Sequence, residues 1–287
     1  MSYVIFSDSG SDYSDLLAKE KNVKIIPLSF IVRGKEYNVN NEEVMKETYQ
    51  AMRNKESIKT SCANVYTISQ MLEEELKKGN DVLYLAFSSG LSATYQNGVE
   101  ACEGLRKKYP NRKIIILDTL SASLGQGLLL TYACEFRDQG ESIEDVSNFI
   151  EANKLRMSHL FTVDEMFSLY NGGRISKSTY LIAQVAKIKP IMHMDDEGKL
   201  TAIGKVIGRK KSINTIINKV VETIEEPEKQ IIYISHGDCL EEAKYIKDEL
   251  NKRIKVKDIY IGYIGPVIGG HSGPGTLAVF YFSKHRI

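Results

Sequence analysis

The sequence predicts a two-domain α/β protein, with a Rossmann-like, parallel-sheet domain over residues 1–157 and a mixed-sheet α/β domain over residues 158–287. Three observations predict it. Short β-rich runs alternate with amphipathic helical segments through the first half, the pattern that builds a parallel sheet with helices on its faces. In the second half a hairpin signature comes before the alternation resumes, which mixes strand directions. A chain of 287 residues with 43% hydrophobic and 26% charged residues has globular composition and is long enough for two ordinary domains.

In order along the chain, strands are predicted over residues 3–7, 23–32, 81–88 and 113–118. Between them Val65, Ile68, Leu72 and Leu76 recur at helical spacing, with Glu73/Lys77 and Glu74/Lys78 as exposed i,i+4 pairs, so a surface helix ends at Gly79. Tyr95, Val99, Cys102 and Leu105 form a second such stripe, and residues 124–139 are apolar enough for a largely buried third helix. A further helix is predicted over 141–157, starting near Ser142. No Pro/Gly linker follows it, so the boundary rests on the change of pattern alone. Beyond it, residues 189–194 and 199–207, joined by Asp195-Asp196-Glu197-Gly198, read as a β-hairpin. Helices over about 209–225 and 240–252 then alternate with strands at 230–235, 255–264 and 276–283.

Composition excludes several classes of protein. With 38 Lys+Arg against 37 Asp+Glu the formal net charge is +1, which argues against nucleic acid as a partner. Cys62, Cys102, Cys134 and Cys239 are far apart and form no C-x-x-C pair or zinc-ligand spacing, so they read as reduced core thiols of a cytoplasmic protein. The N-terminus lacks a basic stretch and a secretory apolar run, and no apolar segment approaches the roughly 20 residues needed to span a bilayer. His159, His193, His236 and His285 lack metal-ligand spacing and read as structural or surface histidines.

Several enzymatic signatures break at a residue their chemistry requires. Gly273-Pro274-Gly275-Thr276-Leu277-Ala278 fits G-x-G-x-x-A but runs into a strand, with no later acid for a ribose. Arg209 stands where a phosphate-binding loop over 204–212 needs its second glycine. Gly270-His271-Ser272-Gly273-Pro274 lacks the last glycine of a nucleophile elbow. Asp8 and Asp12 flank Ser9-Gly10-Ser11 and read as a strand-to-helix turn with Asp12 as the helix cap, in preference to a metal or phosphoryl site. No cofactor is expected.

Three polar segments carry the positive signal. Lys59-Thr60-Ser61-Cys62-Ala63-Asn64 precedes a helix that Asn64 can cap; capping alone would also explain its composition. Ser88-Ser89-Gly90-Leu91-Ser92-Ala93-Thr94-Tyr95 is a strand followed by a hydroxyl-rich turn. Such a turn either offers donors to an anion at the carboxyl end of a parallel sheet or simply caps the next helix. Residues 264–276 form a glycine-rich loop around the single His271, a setting that favours a functional role over a purely structural turn.

Those segments, with Ser7-Asp8-Ser9-Gly10-Ser11-Asp12, Gly172-Gly173-Arg174-Ile175-Ser176, Lys189-Pro190-Ile191 and Gly208-Arg209-Lys210-Lys211, resemble the DegV family in order and spacing across nearly the whole chain. The stretch departs from that family at Cys62-Ala63-Asn64, where Gln-Pro-Ser usually follows the Thr-Ser pair. The resemblance implies a long-chain fatty acid held between the two domains, its carboxylate bound by Thr60 and Ser92 with His271 nearby, and Ser61 and Arg209 at the site mouth or a partner contact. It further implies a partner, the ATP-binding subunit of a fatty acid kinase, which phosphorylates the bound carboxylate to an acyl phosphate, so that this chain is no enzyme by itself. Membrane contact would be transient at most. Burying about fifteen methylenes at ~0.8 kcal/mol each gives a gross drive on the order of 12 kcal/mol, and neutral hydroxyls offset the desolvation of the carboxylate. Two other readings stand beside it: a lipid-binding sensor or transport protein without a kinase partner, and a hydrolase using Ser92 or Ser272. The last has no recognisable base in the sequence.

Overall fold

The computed structural model describes residues 2–38, 41–181 and 188–287. The N-terminal region begins with β1 (Tyr3–Asp8), α1 (Asp15–Glu20), β2 (Val23–Ile26), β3 (Ser29–Val32), β4 (Lys35–Tyr37), α2 (Glu42–Arg53) and β5 (Lys59–Ser61). It continues with α3 (Val65–Lys77), β6 (Asp81–Ala86), α4 (Thr94–Lys108), β7 (Ile114–Asp118), α5 (Ser123–Asp138) and α6 (Ile143–Asn153). A parallel sheet runs in the order β2-β1-β6-β7, as the strand–helix alternation predicts. All six residues of β6 are buried, which fits a central parallel strand covered on both faces. Side chains of Asn41, Asn64 and Ser142 cap α2, α3 and α6 by accepting backbone N–H bonds.

The strand expected over 23–32 is two strands in different sheets. Pro27 has no N–H for a ladder, and the chain breaks there: β2 joins the parallel sheet, whereas β3 joins a small antiparallel sheet ordered β4-β3-β5. That small sheet and α2 are absent from the sequence reading.

The C-terminal region comprises β8 (Met157–Thr162), α7 (Phe167–Asn171), α8 (Lys177–Leu181), β9 (Ile188–Met194), β10 (Leu200–Ile207), α9 (Arg209–Thr223), β11 (Ile231–His236), α10 (Leu240–Arg253), β12 (Asp258–Tyr263), α11 (Pro266–Ser272) and β13 (Leu277–Phe282). Its mixed sheet runs β10-β9-β8-β13-β11-β12, with β9 and β10 as the expected antiparallel hairpin. The helix expected over 141–157 ends at Asn153, and Met157 opens β8 in the middle of this sheet. Every residue of β8 is buried on one face or the other, so no polar alternation marks it as a strand. Its Ser158 pairs internally with Ser283 at 2.6 Å.

The segment expected as a glycine loop around His271 is mainly helix. Pro266 pre-sets φ at the first position of α11, and Gly273 and Gly275 take positive φ only after the helix ends. Inside α11 the glycines give room: a Cβ on Gly269 would come within 2.7 Å of Tyr49 Oη, and one on Gly270 within 2.9 Å of Ile58 Cγ2. Helix α5 lies between the two large sheets, packing on β1 from one and on β8, β11 and β13 from the other. It has many apolar residues and few exposed ones because both of its faces are covered.

Candidate functional site

Where the two regions meet they line a partly open cavity of about 680 Å³. Its wall is largely apolar: Leu28 and Phe87 come from the N-terminal region, and Phe161, Met194, Val267 and Phe280 from the C-terminal one. The alternation of strands produces that wall, since Phe161 of β8 faces Ala278 of β13 in register and His159 faces Phe280. The cavity also collects Thr60, Ser61, Ser92, Arg174 and His271. Four of the five site residues proposed from sequence therefore share one lining.

Thr60 sits in β5, where its pairing with Phe30 of β3 fixes its position. Thr60 Oγ1 lies 2.7 Å from His271 Nε2, joining the two regions. Asn97, in the first turn of α4, donates to Ala63 O at 2.8 Å, which ties the end of the Thr60 segment to the helix that Ser92 precedes. Ser92 Oγ accepts from Thr94 N at 3.2 Å and shares a proton with Thr94 Oγ1 at 2.9 Å.

The remaining nitrogen of His271, Nδ1, is buried without a partner. An unpaired buried N–H costs more than an unpaired lone pair, so the proton belongs on Nε2, which then donates to Thr60 Oγ1. That leaves the Thr60 hydroxyl proton free to donate elsewhere. Burial, helped by the nearby Arg174 charge, pushes His271 down to about 4, so its ring is neutral at pH 7.

Arg174 is the residue that sequence reasoning missed. Burial lowers its pKa, its Nη1 donates to Gly172 O, and among the described residues no carboxylate pairs with it. The signal was present in Gly172-Gly173-Arg174, but only the fold shows this cation facing an apolar cavity. His159, read as an ordinary histidine, also lines the cavity; its Nδ1 lies 3.0 Å from Met157 O.

Thr60, Arg174 and His271 also line an outer, more polar cleft of about 1140 Å³ bordered by Arg53, Lys59, Asp164 and Glu165. Arg209, the fifth expected site residue, lines neither space. Its guanidinium pairs with Glu242 at 2.6 Å and approaches Asp164 at 3.6 Å, one residue back from the outer cleft.

Other expectations need correction. Asp12 does not cap the start of α1, which Ser14 does; Asp8 caps the start of the short turn over Ser9–Ser11, and Asp12 closes that turn. Asp12 instead reaches across to Ser123 and Gly265. Cys102 and Cys134 are buried free thiols, but Cys62 is exposed and beside the cavity, since the strand ends there at the edge of a small sheet. Ser272 Oγ has no hydrogen-bond partner and Ser92 pairs with a threonine, so neither serine meets the base that a nucleophile needs. Among the described residues no group of three His, Cys, Asp or Glu side chains is arranged to hold a metal, and no helix is long and apolar enough to cross a membrane.

Fold and site together define an α/β protein with a largely apolar cavity whose lining carries hydroxyls, a neutral imidazole and a guanidinium that has no carboxylate partner among the described residues. The chain belongs to the DegV family, whose model, described as "Uncharacterised protein, DegV family", matches residues 2–284. It is 40% identical over 286 residues to a DegV domain-containing protein of Clostridium perfringens, covering 99% of this chain and 98% of that one. Among solved structures it is similar to a DegV lipid-binding protein of Thermotoga maritima, with 27% identity, TM-score 0.86 and full coverage of both chains (100% each). It is also similar to a DegV family protein of Thermus thermophilus described for fatty acid binding, with 26% identity, TM-score 0.88, and 99% and 100% coverage.

Proposed function

We propose that this chain holds a long-chain fatty acid in the cavity between residues 1–157 and 158–287, and presents its carboxylate to a separate ATP-binding kinase subunit that forms the acyl phosphate. The observation that carries the reading is Arg174, which has no carboxylate partner among the described residues and lies in the lining of a largely apolar cavity. A ligand with one anionic end and a long apolar body supplies what each part of that lining lacks. The volume of about 680 Å³ lies within the range of ~300–1,000 Å³ usual for ligand sites. The names of the Thermotoga and Thermus structures, one lipid-binding and one fatty-acid-binding, support the same ligand class.

In this reading the carboxylate head group accepts hydrogen bonds from the Thr60 and Ser92 hydroxyls, and Arg174 balances its charge. His271 acts through Thr60: by donating to Thr60 Oγ1 it turns the threonine proton toward the carboxylate. In this reading none of the described residues acts as a nucleophile or general base. The outer cleft shares Thr60, Arg174 and His271 with the cavity, so a carboxylate there has a face toward a second protein. The protein works in the cytoplasm, where a kinase partner has its ATP.

Mass spectrometry of gently purified protein tests the ligand. A co-purified fatty acid is expected in the wild type, and Thr60→Val with Ser92→Ala should lower palmitate retention about tenfold or more at unchanged stability, since two hydrogen bonds to a buried charge are lost. Full retention in the double variant would remove both residues from the site. Adding a kinase subunit and ATP separates a carrier, which yields acyl phosphate, from a lipid sensor, which does not.

A further inference from the structure

The turn after β1 carries a carboxylate that the proposed function leaves unused. Asp12 stands at φ 50 in the left-handed region, and its side chain is nearly closed off from solvent. Its Oδ1 accepts from Gly265 N at 2.9 Å, and its Oδ2 accepts from Ser123 Oγ at 2.5 Å. Both partners belong to the framework of the cavity. Gly265 opens α11, whose last turn bears His271, while Ser123 opens α5 and lines the cavity. Ser235, another lining residue, lies 3.2 Å from Ser123 Oγ.

Ser123 has one proton, and the carboxylate is the nearer and stronger acceptor, so it goes mainly to Asp12, with Ser235 Oγ as the longer second acceptor. Ser123 thus holds one oxygen of Asp12, whose other oxygen holds Gly265. We infer that Asp12 is a positioning residue: its carboxylate fixes the start of α11 and, through that helix, the contact between His271 and Thr60 at the cavity. The inference rests on the fatty-acid reading only where ligand retention is the readout.

Burial pushes Asp12 up to about 7 against the opposing bonds from Ser123 and Gly265, so it changes charge within the neutral range. Once protonated, Asp12 donates to Ser123, whose own proton is left to Ser235 alone. Gly265 N–H then loses a charged acceptor. The surrounding ionisable groups are few. From α2, Tyr49 feels the Asp12 charge and donates to Ile264 O at 2.9 Å. From α5 and β11 come the hydroxyls of Ser123 and Ser235, and next to Ser235 on β11 stands His236, which burial holds below its ordinary value. On the same turn Asp8, raised to about 6, is engaged by Gly10, Tyr84, Phe87 and Gln126. At the far end of α11, His271 is held to about 4 and stays neutral between pH 6 and 8.

Hydrogen exchange over residues 264–272, measured on the ligand-free full chain and corrected for intrinsic rates, tests this directly. The wild type is expected to exchange roughly fivefold more slowly at pH 8 than at pH 6, the difference between a charged and a neutral acceptor. Asp12→Asn should exchange at the faster rate at both pH values. Tyr49→Phe, which removes the clamp on Ile264, should speed exchange by the same factor at both, as a merely structural contact would. A wild-type profile without a transition between pH 6 and 8 overturns the inference whether or not Asp12→Asn folds, and so does an Asp12→Asn profile that matches the wild type. If α11 responds as expected in a protein that binds no palmitate, the positioning role stands and the fatty-acid reading falls.

Discussion

A carboxylate taken out of water costs free energy that hydrogen bonds only partly offset, and the turn after β1 buries two of them. Burial raises Asp8 to about 6 and Asp12 to about 7. Because these folded values lie above the unfolded value of 3.8, the stability they contribute is complete below about pH 4 and is lost as pH rises through about 7. His159, His236 and His271 are depressed by burial and act in the opposite sense, losing stability as pH falls below their ordinary value of 6.5. A difference between variants isolates the aspartate. Asp12→Asn should gain on the wild type by about 2–4 kcal/mol between pH 4 and pH 8, read from urea unfolding at each pH; a constant difference would show that Asp12 keeps an ordinary pKa. The charge that fixes α11 therefore destabilises the fold as a whole. At this scale the expectation for Thr60, Ser61, Ser92 and His271 came from the family resemblance, since helix capping explained the hydroxyl segments equally well, and the fold brings the four into one lining. Arg174 and Asp12 were not legible in the sequence, since their roles depend on which partners the fold withholds or supplies from more than a hundred residues away.

Helix α11 illustrates how an element can be misread from composition. Glycines in its sequence suggest unusual backbone angles, yet inside the helix they allow close approach to α2 and to Ile58 beside β5. Gly269→Ala should therefore destabilise the protein by about 1–3 kcal/mol and speed palmitate loss, because the added methyl must push α11 away from Tyr49. Gly104→Ala makes the contrasting case. Gly104 is exposed in the middle of α4 with nothing within 4 Å of a new Cβ, so the change should stabilise by about 0.5–1 kcal/mol and leave retention untouched. Paired urea unfolding and retention measurements check both, and equal behaviour of the two variants would sink the close-packing argument. Elements with a clear period, such as α3, α4 and the β9–β10 hairpin, were readable from sequence. Strand β8 was not: fully buried on both faces, it shows neither alternation nor the apolar run of an ordinary interior strand. The break at Pro27 was written in the sequence, but which sheet each half would join depends on long-range pairing.

Across the whole molecule, the two sheet-bearing regions are joined by contacts that surround the cavity. Tyr49 reaches Ile264, Arg53 reaches Asp238, Thr60 reaches His271, and Ser88 donates to Gly198 O at the tip of the hairpin. In the proposed reading an acyl chain between the regions would touch both at once, so its binding energy would stabilise their association as well as each wall. Ligand at about 100 times its Kd adds roughly 2.7 kcal/mol to the bound state, which for a chain of 287 residues corresponds to a rise of about 4 °C in Tm. Delipidated protein is expected to melt in one calorimetric transition that palmitate shifts upward by that amount. Thr60→Val with Ser92→Ala should need a proportionately higher palmitate concentration for the same shift. Two transitions, with only one of them moved by palmitate, would instead mean that the ligand rests on a single region and that the facing wall contributes shape without binding energy. A single shifted transition is the result expected when both walls hold the chain, the arrangement that the mixed lining from β8, β13, β5 and the Ser92 turn supports.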